Sequence, residues 1–230
     1  MRLNIIGLNH RTAPIKIREK VTIPEDELAK ANRIFHETAG GDESMLLSTC
    51  NRVETFVVGP TEEEAREATL DFLEDYSRPG IEGLDRYIYS LHGEAAMEHL
   101  FKVASGLDSM VMGESQITGQ LKIAHAVAQE EGTVGMDLNQ LMSYALFTAK
   151  KIRTDTRISE LPVSVSSVAV ELARKIFEDL TRRKVLLIGA GKMSRLAARG
   201  FLSSGIDQLS IINRTYENAV RMSEELGGTA

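Results

Sequence analysis

Apolar and polar positions alternate between two periods along this chain, and the changes of period mark its elements. Leu3-Asn4-Ile5-Ile6-Gly7-Leu8 reads as a first strand that turns at Asn9-His10-Arg11-Thr12-Ala13-Pro14. Pro24, followed by Glu25, Asp26 and Glu27 and by Leu28, Ala31, Ile34 and Phe35 at three-and-four spacing, predicts a helix that Gly40-Gly41 ends. Met45 to Ser48 and Val53 to Val58 read as strand segments with an irregular polar stretch between them, and Gly59-Pro60 closes that unit. Thr61 with Glu64 has the form of a capping box, opening a helix through Ala65, Ala68, Leu70, Phe72 and Leu73 that Arg78-Pro79-Gly80 breaks.

From Glu94 a helix places Met97, Leu100, Phe101, Ala104, Leu107 and Val111 on one face, with His99 nearly opposite that stripe. The polar, glycine-rich stretch Gly106 to Lys122 follows, in which Ser109, Glu114, Gln116 and Gln120 form a candidate hydrogen-bonding lining; a plain helix-loop-helix junction uses many of the same residues. Helical patterns run through Leu121 to Glu131 and Leu138 to Arg157. The second ends in Lys150, Lys151, Arg153 and Arg157, a cluster suited to a helix C-terminus in solvent or to phosphate. A non-helical passage, Ser159 to Ser164 with Pro162, sets the domain boundary, giving domains at 1–157 and 158–230. A helix from Ser164 to Leu180, apolar along Val165, Val168, Ala169, Leu172, Ala173 and Ile176, leads to the basic turn Arg182-Arg183-Lys184.

Val185-Leu186-Leu187-Ile188 is a buried-strand run, and Gly189-Ala190-Gly191-Lys192-Met193-Ser194 follows directly. Gly189 permits the tight turn and Gly191 the close approach of a pyrophosphate to a helix N-terminus, while Ser194 stands where glycine or alanine is usual. A helix from Arg195 to Leu202 and a strand Leu209 to Ile212 supply the context such a turn needs. Asn213-Arg214-Thr215 then occupies the ribose-reading position without an acid, which favours NADP over NAD. After a helix from Glu217 to Leu226 only β-α-β-α has been counted, so the dinucleotide module is expected to be truncated, with one sheet face partly uncovered. The expected class is α/β: an α+β first domain followed by this Rossmann-type piece.

Composition narrows the chemistry. The hydrophobic content of 43% and charged content of 26% describe an ordinary globular chain without a membrane span or export signal, and one cysteine in 230 residues points to a reducing cytoplasm. A net charge of -6 gives no general affinity for nucleic acid, so a tRNA partner would need a local basic surface. Cys50 has no disulfide partner, and the five histidines lack ligand spacing, so no metal site is expected. Cys50 is then either an inert buried side chain or a nucleophile. Thr49, Asn51, Arg52 and Glu54 crowd polar groups around it, and Arg52 offers a cation.

At Leu47-Ser48-Thr49-Cys50-Asn51-Arg52-Val53-Glu54 the chain resembles the glutamyl-tRNA reductase family. Gly7 to Pro14, Gly106 to Lys122, Ala149 to Thr156 and the glycine turn resemble the family's motifs in the same order. Thr118, Ser194 and the passage Ile158 to Pro162 depart from its pattern. The resemblance implies an NADPH-dependent reduction of glutamyl-tRNA to glutamate-1-semialdehyde, the first step of five-carbon tetrapyrrole synthesis, in which Cys50 attacks the ester carbonyl to give a thioester. It implies that His99 assists proton transfer or positions the ester, and that Thr49, Arg52, Ser109 and Gln120 hold the glutamyl moiety, with Arg52 on its carboxylate and Glu54, Glu114 and Gln116 in support. It assigns Gly189, Ala190, Gly191, Lys192, Met193, Ser194, Asn213, Arg214 and Thr215 to NADPH. It also implies a homodimer built by a C-terminal domain not seen here and hand-over of product to glutamate-1-semialdehyde aminomutase. Two other readings stay open: a fragment that only hydrolyses glutamyl-tRNA, and a non-catalytic module binding tRNA or a regulatory protein.

Overall fold

The computed structural model of the 230-residue chain describes residues 2–76, 81, 83–156, 158 and 165–230. Two compact units divide it, Met1–Ile158 and Ser159–Ala230. The breaks expected at Arg78 to Gly80 and Ser159 to Ser164, and the cation Arg157, lie outside the described residues.

The first unit is built on an antiparallel sheet of four strands, β1 (Leu3–Asn9), β2 (Glu43–Ser48), β3 (Arg52–Val58) and β4 (Tyr89–His92), in the order β2-β3-β1-β4. Its helices are α1 (Ile15–Val21), α2 (Leu28–Thr38), α3 (Glu62–Tyr76), α4 (Gly93–Ala104), α5 (Gln116–Glu130) and α6 (Met136–Thr156). Because side chains alternate along a strand, β3 sends Thr55 to one face and Glu54 to the other. Thr55 meets Thr69 of α3 at 2.8 Å, and Phe35 of α2 packs on Phe72 of α3 with ring centroids 5.1 Å apart, so α2 and α3 cover the first face. His99 of α4 bonds Glu54 on the second face, where α4 packs with α5 and α6. Both faces being covered, Leu3, Ile5, Ile6 and Leu8 of β1 are fully buried, each stabilising the fold by about 1.5–3 kcal/mol.

The β2 edge is closed by other means. Ser44 donates its N–H to the Thr133 carbonyl at 2.7 Å and Leu46 to Asn32 Oδ1 at 3.0 Å, which leaves no bare template there for another strand. Asn32 is therefore buried on α2, and Ile34, expected in the core, is 36% exposed. The capping box forms as expected: Thr61 N–H and hydroxyl donate to Glu64 Oε2 at 2.8 and 2.7 Å.

In the second unit the parallel strands β5 (Lys184–Ile188) and β6 (Gln208–Ile212) are joined by α8 (Lys192–Ser203), with α7 (Val165–Phe177) before and α9 (Tyr216–Leu226) after. Leu209 and Ile211 pack with Ala198, Ala219 and Met222, while Leu186, Ile188 and Ile212 on the other face are exposed. The apolar stripe of α7 is exposed at Val165, Val168, Leu172 and Ile176, and α7 turns Ser166 and Val170 inward against α8. One expectation needs correction. Strand pairing goes beyond β-α-β-α, because Thr229 forms a parallel bridge with Ser210 and bonds Leu209 and Ile211 through its backbone.

Candidate active site

The turn between β2 and β3 carries Cys50. Thr49 shapes it: its hydroxyl accepts the N–H groups of Asn51 and Arg52, each at 3.1 Å, and its own N–H donates to the Arg52 carbonyl at 2.8 Å. Thr49 is buried, and its hydroxyl accepts within the turn. Cys50 at the tip is exposed, which rules out the inert buried alternative. Arg18, itself buried, grips the tip from α1 by donating Nη1 to the Cys50 carbonyl at 2.9 Å and to Asn51 Oδ1 at 2.8 Å.

Arg52 is enclosed among carboxylates. Only 2% exposed, it donates Nη1 to Glu54 Oε1 at 2.7 Å and Nη2 to the Asp108 carbonyl and Oδ2 at 2.6 and 2.9 Å. The guanidinium ties β3 to the loop after α4. Burial works against its charge, and the carboxylates of Glu54 and Asp108 more than offset that. Arg11 holds the second oxygen of Asp108 at 3.0 Å, so Ser109, the next residue, follows an anchored one.

Glu54 is fully buried. Burial alone would raise its pKa, but the Arg52 charge and the hydrogen bonds from His99 and the Tyr89 hydroxyl hold it down at about 2. Its Oε1 receives Arg52, His99 Nε2 at 2.9 Å and the Tyr89 hydroxyl, while Oε2 is buried with no partner among the described residues. His99 is thus not a surface side chain, although it lies away from the stripe of Met97 and Phe101. The helix ends at Ala104, and its buried positions Ala96, Leu100 and Val103 share a face with His99, which puts the imidazole against the sheet. An ionised carboxylate only accepts, so His99 carries its proton on Nε2. His10, at the end of β1, has a pKa lowered by burial and by the charges of Arg52, Arg11 and Arg18, opposed by Asp108.

The other expected residues are less closely joined. Glu114 lies in the loop that folds back on Gly106, and Gln116 opens α5. Gln120 lines a small cleft with Ile23, Leu28 and Ser48, two residues before Cys50. The unusual Thr118 donates its hydroxyl to the Ala104 carbonyl at 2.8 Å, satisfying the C-terminus of α4. Sequence reasoning missed Arg18, Tyr89 and Asp108; only Asp108, beside Ser109 in the polar stretch, carried a signal of its own.

The family model described as "Glutamyl-tRNAGlu reductase, N-terminal domain" matches residues 6–156. The chain belongs to the glutamyl-tRNA reductase family. A second family model, "Shikimate / quinate 5-dehydrogenase", matches residues 171–230. Among similar proteins, the glutamyl-tRNA reductase of Thermodesulfovibrio yellowstonii is 44% identical, the match covering 100% of this chain and 55% of that protein. That of Geobacter sulfurreducens is 44% identical, covering 100% and 53%. The solved glutamyl-tRNA reductase from Methanopyrus kandleri superposes with a TM-score of 0.65 at 36% identity, covering 99% of this chain and 53% of that one. The chain spans about half the length of the relatives it matches. The α/β class is as expected. Among the described residues, no helix is long and apolar enough to cross a membrane.

In this reductase-family chain the glycine turn fits a dinucleotide. Gly189 has φ 107°, a conformation that favours glycine, and donates its N–H to the Ile212 carbonyl, fixing the turn on the sheet. Nothing lies within 4 Å of where a Cβ on Gly191 would stand, and α8 starts at Lys192, so the first turn of that helix, Lys192 to Ser194, begins beside the open position at Gly191. Asn213 accepts the Ala190 N–H at 3.1 Å and donates to the Thr215 carbonyl at 2.8 Å, leaving Arg214 exposed at the end of β6. The cofactor-binding residues expected from sequence are therefore neighbours in space.

Proposed function

We propose that this chain takes part in glutamyl-tRNA reduction, with Cys50 as the acyl acceptor. The Cys50 sulfur, as thiolate, adds to the ester carbonyl; the carbon–oxygen bond to the tRNA 3′ ribose breaks, the alkoxide leaves with a proton, and a thioester remains. His99, with one proton held on Nε2 by Glu54, has Nδ1 to take up or release a proton. Ser109, anchored through Asp108, and Gln120 would hold the glutamyl moiety, with Glu114 and Gln116 in support. NADPH, held by Gly189 to Ser194 with Arg214 on its 2′-phosphate, would supply the hydride that gives glutamate-1-semialdehyde. The observation that carries this reading is the exposed Cys50 on a turn pinned from both sides by Thr49 and Arg18. A cytoplasmic homodimer that passes its product to glutamate-1-semialdehyde aminomutase belongs to the same proposal.

Incubation with glutamyl-tRNA and NADPH tests it. Semialdehyde, or free glutamate where hydride delivery is missing, is expected from the parent and lost in Cys50→Ser. Equal release of glutamate by the variant and the parent would overturn the assignment.

A further inference from the structure

Tyr89 takes no part in the chemistry above, yet it touches both members of the Glu54–His99 pair. Its hydroxyl donates to Glu54 Oε1, and its ring meets the His99 imidazole edge-on, with centroids 5.7 Å apart and planes at 65°. The sheet makes this meeting possible. Gly7 of β1 pairs with Glu54 on one side and with Tyr89 on the other, so both side chains extend over a position without one. A Cβ there would stand 2.2 Å from the Val53 carbonyl oxygen and 3.0 Å from Glu54 Cγ.

Among the described residues the bonding of Glu54 is lopsided, with three donors on Oε1 and none on the buried Oε2. A carboxylate held this way has a competing orientation in which Oε2 takes one of the donors. Arg52 is fixed by Asp108 and His99 by its helix, so the phenol on β4 is the third restraint that selects Oε1. Burial, and then the Glu54 charge, raise the pKa of the phenol well above its ordinary value, so it remains a proton donor.

Resting on the acyl-transfer reading, we infer that Tyr89 is a positioning residue: through Glu54 it fixes the Nε2–H tautomer of His99, and through its ring it fixes the plane of the imidazole. Nδ1 is thereby kept as the proton-accepting atom, with one orientation.

The test uses the whole chain and Tyr89→Phe, which keeps the ring and removes the donor. Long-range 1H–15N spectra at neutral pH, with His99→Gln for assignment, are expected to show a single Nε2–H tautomer in the parent and a mixture in Tyr89→Phe. Acylation by glutamyl-tRNA should slow by about tenfold, part of the 10²–10⁴ range of general acid–base groups, with tRNA affinity unchanged. Substituting 3-fluorotyrosine, a stronger donor, for tyrosine gives a second reading that needs no deletion, and the His99 ring signals should move. Unchanged His99 signals in either case, or a changed tautomer with an unchanged acylation rate, would overturn the inference. A parent that forms no acyl-enzyme would overturn the function instead, and the spectra would still decide whether Tyr89 controls His99.

Discussion

Replacing Arg52 with methionine removes a buried cation and leaves a buried carboxylate behind. Breaking such a pair from one side costs about 3–5 kcal/mol. The structure supplies a bound on the part due to Glu54, because this carboxyl can escape its unpaired charge by taking a proton. From an ordinary value of 4.5 that escape costs about 1.4 kcal/mol per pH unit, or about 3.4 kcal/mol at pH 7 and about 0.7 kcal/mol at pH 5. In the parent, Glu54 is depressed to about 2, so its contribution is complete above pH 4.5 and is lost only as the pH falls toward 2. In Arg52→Met its folded pKa rises instead, and stability falls as the pH rises above 4.5. The gap between parent and variant should therefore shrink by up to about 2.7 kcal/mol from pH 7 to pH 5. Urea unfolding reports it through near-UV tyrosine signals, since Tyr76, Tyr87, Tyr89 and Tyr144 all lie in the first unit. Adding Glu54→Gln should recover most of the loss at pH 7. A penalty of the same size at both pH values, or no recovery in the double variant, would refute the claim that Arg52 exists to neutralise Glu54.

Other substitutions probe separate joints. Glu43 caps α6 by accepting the N–H groups of Asp137 and Leu138 at 2.9 and 2.7 Å, so Glu43→Ala should cost about 1–2 kcal/mol in thermal unfolding. Gly7→Ala forces a methyl to within 2.2 Å of the Val53 carbonyl oxygen and should destabilise the first unit by about 1–3 kcal/mol. Arg214→Ala should weaken NADPH binding by about tenfold and leave NADH nearly unchanged in fluorescence titrations, the charge of the 2′-phosphate being the difference.

Much of the fold was legible because one face of each element repeats with its period. The strands at 3–9, 43–48 and 52–58 and the helices α3, α6, α8 and α9 lie close to where the apolar pattern put them, while α4 stops at Ala104 and α5 already begins at Gln116. What escaped was decided by tertiary contact. Strand β4 is a four-residue piece whose register comes from pairing with β1, and α1 has too few turns to show a period. His99 was placed away from the core because the stripe was drawn through Met97 and Phe101, whereas the helix buries Ala96, Leu100 and Val103, on the side nearer His99. Cys50 stood out by being alone, but whether it was buried depended on the turn that Thr49 and Arg18 hold. The enclosure of Arg52 was not legible because its carboxylate partners are two residues away in Glu54 and far along the chain in Asp108, and only the fold joins all three.

The most direct test of the central claim is the acyl-enzyme itself. The chain is mixed with glutamyl-tRNA, quenched in acid to preserve a thioester, digested, and its peptides weighed. A glutamyl adduct on the peptide containing Cys50, removed by hydroxylamine and missing in Cys50→Ser, is the predicted result. Deacylation of glutamyl-tRNA with no adduct on that peptide, continuing undiminished in Cys50→Ser, would contradict the account.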